Sequence, residues 1–211
     1  MCYYIEQNTS SSKMSKTFGA DFQNPEKFHP KKEINAFDFP KLPIIKDENP
    51  GFFQFSSWGL IPYWAKNTEI RSMTLNARLE TIDEVASFRD VTNQRCILPV
   101  TGFYEWKWLD SKGKRKEKYL IQIKSGAIFA LAGLYSSWIN PSTQKEIESF
   151  TLLTTKANPI MAEIHNIKKR MPLIMNANQA LNWLKTGQIK LEDHLKPARL
   201  TKDNQLDLFG T

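Results

Sequence analysis

Arg95-Cys96-Ile97-Leu98-Pro99-Val100-Thr101-Gly102-Phe103-Tyr104-Glu105-Trp106-Lys107-Trp108 is the stretch on which the fold turns. Its first half, 96–100, reads as a strand. Its second half, 103–109, alternates: Tyr104, Trp106 and Trp108 share one face, Phe103, Glu105 and Lys107 the other. Turn residues at 110–113 and at Ser125-Gly126 separate it from further strand-like runs at 118–124, 128–138 and 150–155, a succession of hairpins. Working outward, residues 1–8 are strand-like, and 9–20 form a Ser- and Lys-rich loop leading into a short helix. Residues 24–50 carry Pro25, Pro30, Pro40, Pro43 and Pro50. They predict an extended, irregular segment that packs through Phe28, Ile34, Phe37, Phe39, Ile44 and Ile45. Residues 52–58 read as a strand, broken by Gly59 and Pro62 into a loop carrying Tyr63 and Trp64. A helix is predicted over 81–90, with Thr81 as its N-cap. Asn158-Pro159 opens a short helix over 159–164. A strand over 170–175 follows, then a helix over 178–186 stopped by Gly187. The tail after Leu200 is expected to fray. The fold class is α+β: one domain, 1–211, mainly antiparallel sheet with a few short helices.

The chain has 211 residues, with 29 Lys and Arg against 22 Asp and Glu, a net charge of +7. At 41% apolar and 12% aromatic residues it is neither a disordered chain nor a collagen-like or coiled-coil one. Its two cysteines, Cys2 and Cys96, are too few for a disulfide framework or a CxxC zinc site. His29, His165 and His194 show no ligand spacing, so no metal or organic cofactor is expected. No apolar run reaches the length of a membrane span, and the N-terminus lacks a signal-peptide pattern. These features predict a soluble, cytoplasmic protein with a basic surface, expected to be a monomer. The positive excess favours an anionic partner, nucleic acid first.

Four polar residues are candidates for chemistry, each with a plainer reading. Cys2 follows a removable initiator methionine. Removal of Met1 would leave an α-amine of pKa about 7.7–8.0, of which roughly a quarter is neutral at pH 7.4, beside a thiol about one-tenth ionised. Together these close a thiazolidine on an aldehyde; the plainer reading is a small buried cysteine at a strand start. Glu105, between large aromatics, is a carboxyl whose desolvation would raise its pKa, or a surface Glu paired with Lys107 or Arg115. His165, after the 159–164 helix, is a candidate acid that the helix terminus keeps protonated, or only a cap. Asn76 and Arg78 alternate onto one face and suit a phosphate or sugar hydroxyl, or form a solvated turn. The basic run 112–118 at a hairpin tip reads as a solvated loop. Trp58 reads as core, and Trp64 as core or as a ring to stack on unpaired bases.

Taken jointly, Cys2, the WGLIP of 58–62, the NARLET of 76–81, the RCILPVTGFYEW of 95–106 and the IHN…RMP of 164–172 resemble the SRAP family. These are the SOS-response-associated peptidase proteins. The resemblance runs from Cys2 to about Leu184. It implies a barrel-like β core and the sensing of abasic sites in single-stranded DNA, junctions with duplex included, through a thiazolidine on the processed cysteine. It implies Cys2 as nucleophile, Asn76, Glu105 and His165 as the other catalytic positions, and Arg78, Trp64 and Thr154 as DNA-binding positions. The family usually follows its cysteine with Gly-Arg, where this chain has Tyr3-Tyr4. The segment between Asn166 and Arg170 is also longer than in many members, adding Lys168 and Lys169. An N-terminal-nucleophile cysteine peptidase or amidohydrolase remains a rival reading, as does a non-covalent single-strand-binding module.

Overall fold

The computed structural model describes residues 2–191 and 194–200. Its strands are β1 (Tyr4–Gln7), β2 (Asp21–Phe22), β3 (Lys31–Asn35), β4 (Lys41–Lys46), β5 (Asn49–Trp58), β6 (Asn76–Arg78), β7 (Arg95–Val100), β8 (Gly102–Trp108), β9 (Lys116–Ile123), β10 (Phe129–Ile139), β11 (Glu146–Lys156), β12 (Arg170–Pro172), β13 (Ile174–Met175) and β14 (Leu195–Leu200). Among the described residues three α-helices accompany them: α1 (Ser11–Phe18), α2 (Pro159–Ile164) and α3 (Ala177–Thr186).

Five strands close on themselves. β11, β10, β7, β4 and β5 pair antiparallel in that order, and β5 returns to β11 in parallel through Ser57 and Trp58. Closure removes the exposed edges that an open sheet would leave. A second, antiparallel sheet runs β14-β9-β8-β1-β3. The stretch 95–108 joins the two: β7 belongs to the barrel and β8 to the second sheet, with Thr101 between. There the Thr101 N–H donates to Glu6 O at 2.8 Å and Gln7 Nε2 donates to Pro99 O at 2.7 Å, so β1 is pinned across the joint.

The unbroken apolar run of β7 reflects burial on both faces. Cys96 and Leu98 face one core with Ile44, Leu131 and Leu152, joined by Cys2, Ile5 and Phe103 from the second sheet. Ile97 faces another with Ile45, Ala132 and Leu153, under Met14 and Phe18 of α1 and Trp183 and Leu184 of α3. Where β10 crosses β11 the backbones nearly touch: a Cβ on Gly133 would lie 2.4 Å from Thr151 O and 3.0 Å from the Cys96 sulfur. Gly133→Ala is therefore expected to cost about 2–3 kcal/mol by overpacking, read as a lowered urea midpoint with unchanged slope.

Several expectations are corrected. The proline-rich segment 24–50 is not irregular throughout: it holds β3, β4 and the start of β5. Pro43 is tolerated because β4 pairs with β7 only at Ile45 and Lys46, so the missing N–H falls where that ladder is absent. Residues 81–90 form no helix. They are tight turns between 3-10 segments Leu79–Thr81 and Arg89–Val91, because Ile82, Phe88 and Val91 are buried while Val85, which a helix would place beside Ile82, is 39% exposed. The strand expected over 170–175 is split, β12 pairing β11 and β13 pairing β10. β14 continues the second sheet where no strand was expected. The tail after Leu200 lies outside the described residues.

Candidate active site

Cys2 leads into β1, whose register with β8 (Tyr4 opposite Tyr104) places the chain start beside the inward face of β8. On that face Glu105 follows Phe103, and both are buried. From the barrel side, β6 runs parallel to β11 with Asn76 opposite Leu152. This register delivers Asn76 Nδ2 to the Cys2 carbonyl at 2.9 Å. Asn76 Oδ1 is buried and accepts no hydrogen bond among the described residues.

The electrostatics of the cysteine differ from what its position suggested. The Cys2 side chain has no exposed surface. Burial first, and then the negative charge of Glu105, push its thiol well above the ordinary cysteine range. The sulfur is thus held protonated, against the thiolate fraction expected of a solvated cysteine. Glu105 is the converse case. Burial pushes its carboxyl up to about 7, opposed by the positive amino terminus and by the Trp106 N–H, 3.4 Å from Oε1. It pairs with neither Lys107 nor Arg115, and Arg115 lies instead 4.0 Å from Asp110. His165 does cap α2, but it does not keep a proton readily. Burial, reinforced by the amino terminus, lowers its pKa to about 4, with the contact to Arg170 O opposing and Lys168 and Arg170 adding to the fall. Desolvation outweighs the dipole of a helix only six residues long. Its Nδ1 lies 2.8 Å from Arg170 O.

Glu105 and His165 line one cleft of 360 Å³ with Tyr3, Trp106, Trp108, Lys116 and Lys168. Lys116 belongs to the basic run that read as a solvated loop. Its ammonium sits 4.8 Å from the Trp108 ring centre. The hairpin tip folds back because Gly113, at φ 64°, lies where any Cβ would strike that ring. The loop after His165 is tied down by Asn166, which donates to Trp108 O at 2.8 Å and accepts from Trp108 N at 3.1 Å. Lys169, at φ 47°, closes the loop by donating its N–H to His165 O at 2.9 Å. A larger recess of 680 Å³ beside Asp47, Arg95 and Tyr135 contains none of the four candidates. Its Arg95 and Asp47 pair with each other at 3.2 Å.

The remaining expected residues fall outside that cleft. Arg78 is exposed at the end of β6, on the face that carries Asn76. Trp64 is 45% exposed, its indole donating to Ala86 O at 3.2 Å. Thr154 has no exposed surface. Its hydroxyl donates to Ala77 O at 3.1 Å, and Arg170, bidentate to Glu80, donates to Thr154 O at 2.7 Å. Thr154 therefore braces β6 from within rather than meeting solvent.

The sequence model for SOS response associated peptidase (SRAP) proteins matches residues 1–208. The chain belongs to the SRAP family. This SRAP chain is 42% identical over 144 residues to abasic site processing protein YoqW of Bacillus subtilis, covering 68% of itself and 62% of that protein. It thus spans less than two thirds of that relative's length. It is 30% identical over 159 residues to abasic site processing protein HMCES of Xenopus tropicalis, covering 66% of itself and 47% of HMCES. A crystal structure of a Bacteroides thetaiotaomicron protein superposes with a TM-score of 0.85 at 32% identity, over 96% of this chain and 93% of that one. The barrel-like, mainly β SRAP fold is thereby established. Within it, Asn76 bonds the Cys2 carbonyl, the charge of Glu105 acts on the Cys2 thiol, and Glu105 shares a cleft with His165 whose walls include neither Cys2 nor Asn76. Trp106, Trp108, Lys116 and Asn166 escaped notice. The alternation of β8 set the first two on the face opposite Glu105, and nothing local in the sequence shows that a hairpin tip folds back over a ring.

Proposed function

We propose that this protein, once Met1 is removed, couples covalently to abasic sites in single-stranded DNA, junctions with duplex included, and shields them from strand cleavage. The observation that carries the reading is Glu105: a buried carboxyl titrating near 7, next to Cys2, on a cleft with two lysines. Lys116 and Lys168 attract the phosphate backbone. A sugar without a base enters the cleft at little unstacking cost. The Glu105 carboxylate takes a proton from the Cys2 ammonium, and the amine adds to C1′ of the open-chain sugar. Glu105 returns the proton to the departing hydroxyl, which leaves as water and gives an iminium. The Cys2 sulfur then bonds to the same carbon and its proton passes to Glu105. The amine and the thiol have each lost one hydrogen and the aldehyde its oxygen, so the balance is a thiazolidine plus one water. A neighbouring thiol acts at an effective molarity of about 10⁵ M or more, so closure outruns β-elimination. His165, neutral at pH 7, serves as a hydrogen-bond partner of the sugar rather than as a stored acid. Asn76 holds Cys2 in place, and its Oδ1 is available to accept from a sugar hydroxyl.

Asn76→Ala tests the arrangement. Coupling to a single-stranded oligonucleotide with one abasic site, followed on a denaturing gel, is expected to slow about tenfold to a hundredfold through lost positioning. Binding of the same strand should change little. An unchanged rate would remove Asn76 from the site.

A further inference from the structure

Tyr3 packs against the main core, and Phe37 stands outside it against the Tyr3 ring. Phe37 is 48% exposed, and its ring centre lies 4.9 Å from that of Tyr3, which lines the cleft beside Glu105. The turn that presents Phe37 is tied to the chain start, since Ala36 N donates to Tyr3 O at 2.8 Å and Phe37 N donates to the Asn35 side chain at 3.1 Å. The turn ends at Phe39 with φ 49°, a left-handed conformation that a bulky aromatic rarely adopts. Arg71 holds it there: its guanidinium carbon lies 4.3 Å from the Phe39 ring centre, and Nη2 donates to Phe39 O at 3.2 Å and Trp58 O at 3.4 Å. Strain of this kind persists where the surroundings fix it, and it clusters at ligand-binding positions. Here it leaves an apolar ring in solvent against Tyr3, a wall of the basic cleft.

We infer that Tyr3 and Phe37 form a stacking ledge for the unpaired base next to the lesion. The inference rests on the function proposed above and adds the neighbouring nucleotide to it. An abasic sugar offers no base of its own, so stacking affinity must come from its neighbours. The lysines of the cleft supply charge but no π-face. Aromatic rings meet bases of any sequence, which suits a lesion that arises in any context. Tyr4, on the opposite face of β1, packs edge-on against Trp106 at 5.0 Å and takes no part. This chain therefore puts an aromatic contact at the position after its N-terminal cysteine.

The test uses a single-stranded oligonucleotide carrying a tetrahydrofuran spacer, which cannot couple, in place of the abasic sugar. One version has adenines on both sides of it and a second has further spacers there; affinities are read by fluorescence anisotropy. Wild type is expected to bind the first about tenfold tighter than the second. Phe37→Ala should lose about tenfold on the first and almost nothing on the second, and Phe37→Trp should restore the first. Equal affinities of wild type for the two strands, or a Phe37→Ala loss of equal size on both, would overturn the ledge. Coupling of wild type to a true abasic strand is scored separately. If it couples but the ledge pattern is absent, only the ledge falls; if it does not couple, the proposed function falls and the ledge with it.

Discussion

Cys2→Ala is expected to give no heat-stable conjugate with abasic single-stranded DNA, a loss of more than a hundredfold, while affinity for the same strand stays within about twofold. The alanine amine still condenses with the aldehyde. Its iminium has no sulfur to close on, so it hydrolyses or passes on to β-elimination and the strand is cut. The opposite half of the chemistry is removed by placing one extra residue ahead of Cys2. The thiol survives, but its nitrogen becomes an amide with no nucleophilic lone pair. Both variants must fail if the two atoms act on one carbon. A thiol acting alone would spare the extended variant, and an amine acting alone would spare Cys2→Ala. Because Cys2 is buried at the chain start, a thermal melt of Cys2→Ala should accompany the gel, with only a small loss expected for so short a side chain.

Glu105→Gln is the second large effect, and it runs in opposite directions for rate and for stability. Coupling at pH 7 is expected to slow about a hundredfold, the usual weight of a positioned acid–base group. The wild-type rate should rise as pH increases through about 7, where the Glu105 carboxyl ionises. In the glutamine variant that inflection should vanish, leaving only the titration of the amine. For stability the sign follows from proton counts. The folded carboxyl is raised from 4.5 to about 7, so between those values the native state binds more proton than the unfolded chain. Stability therefore falls as pH rises across that window, by up to about 3 kcal/mol above pH 7. Glutamine carries no charge to bury and should unfold later than wild type at pH 8, with little difference at pH 4. A variant both more stable and slower is the mark of a residue kept for chemistry; one that is slower and less stable at pH 8 would mark a structural residue.

Much of this was legible in the chain because the decisive signals are local. The period-two alternation of 103–109 put Glu105 on one face with Phe103 but left open whether that face is buried, and Asn158-Pro159 placed α2 and hence His165. Alternation around Ala77 likewise set Asn76 and Arg78 on one face. What could not be read were balances that depend on packing. Helix spacing at 81–90 competed with the burial of Ile82, Phe88 and Val91, and burial prevailed. Pro43 looked like a breaker because the sequence does not reveal that its neighbour strand has already departed. At Cys2 the same omission hid the loss of the small thiolate fraction expected, and at His165 it reversed the protonation expected: desolvation in a filled core outweighs both a basic surface and a helix end. Thr154, which only the family resemblance singled out, has its hydroxyl enclosed between Ala77 and Arg170. The parallel return of β5 to β11, which closes the barrel, joins segments about ninety residues apart and leaves no local trace.

The most direct measurement is the intact mass of the product formed when protein lacking Met1 meets a single-stranded oligonucleotide with one abasic site, with no reductant added. The account predicts a species that survives denaturation, weighs the sum of the two partners less one water, and maps to the N-terminal peptide. Absence of that species, its appearance only after borohydride, or a map to a lysine would contradict it.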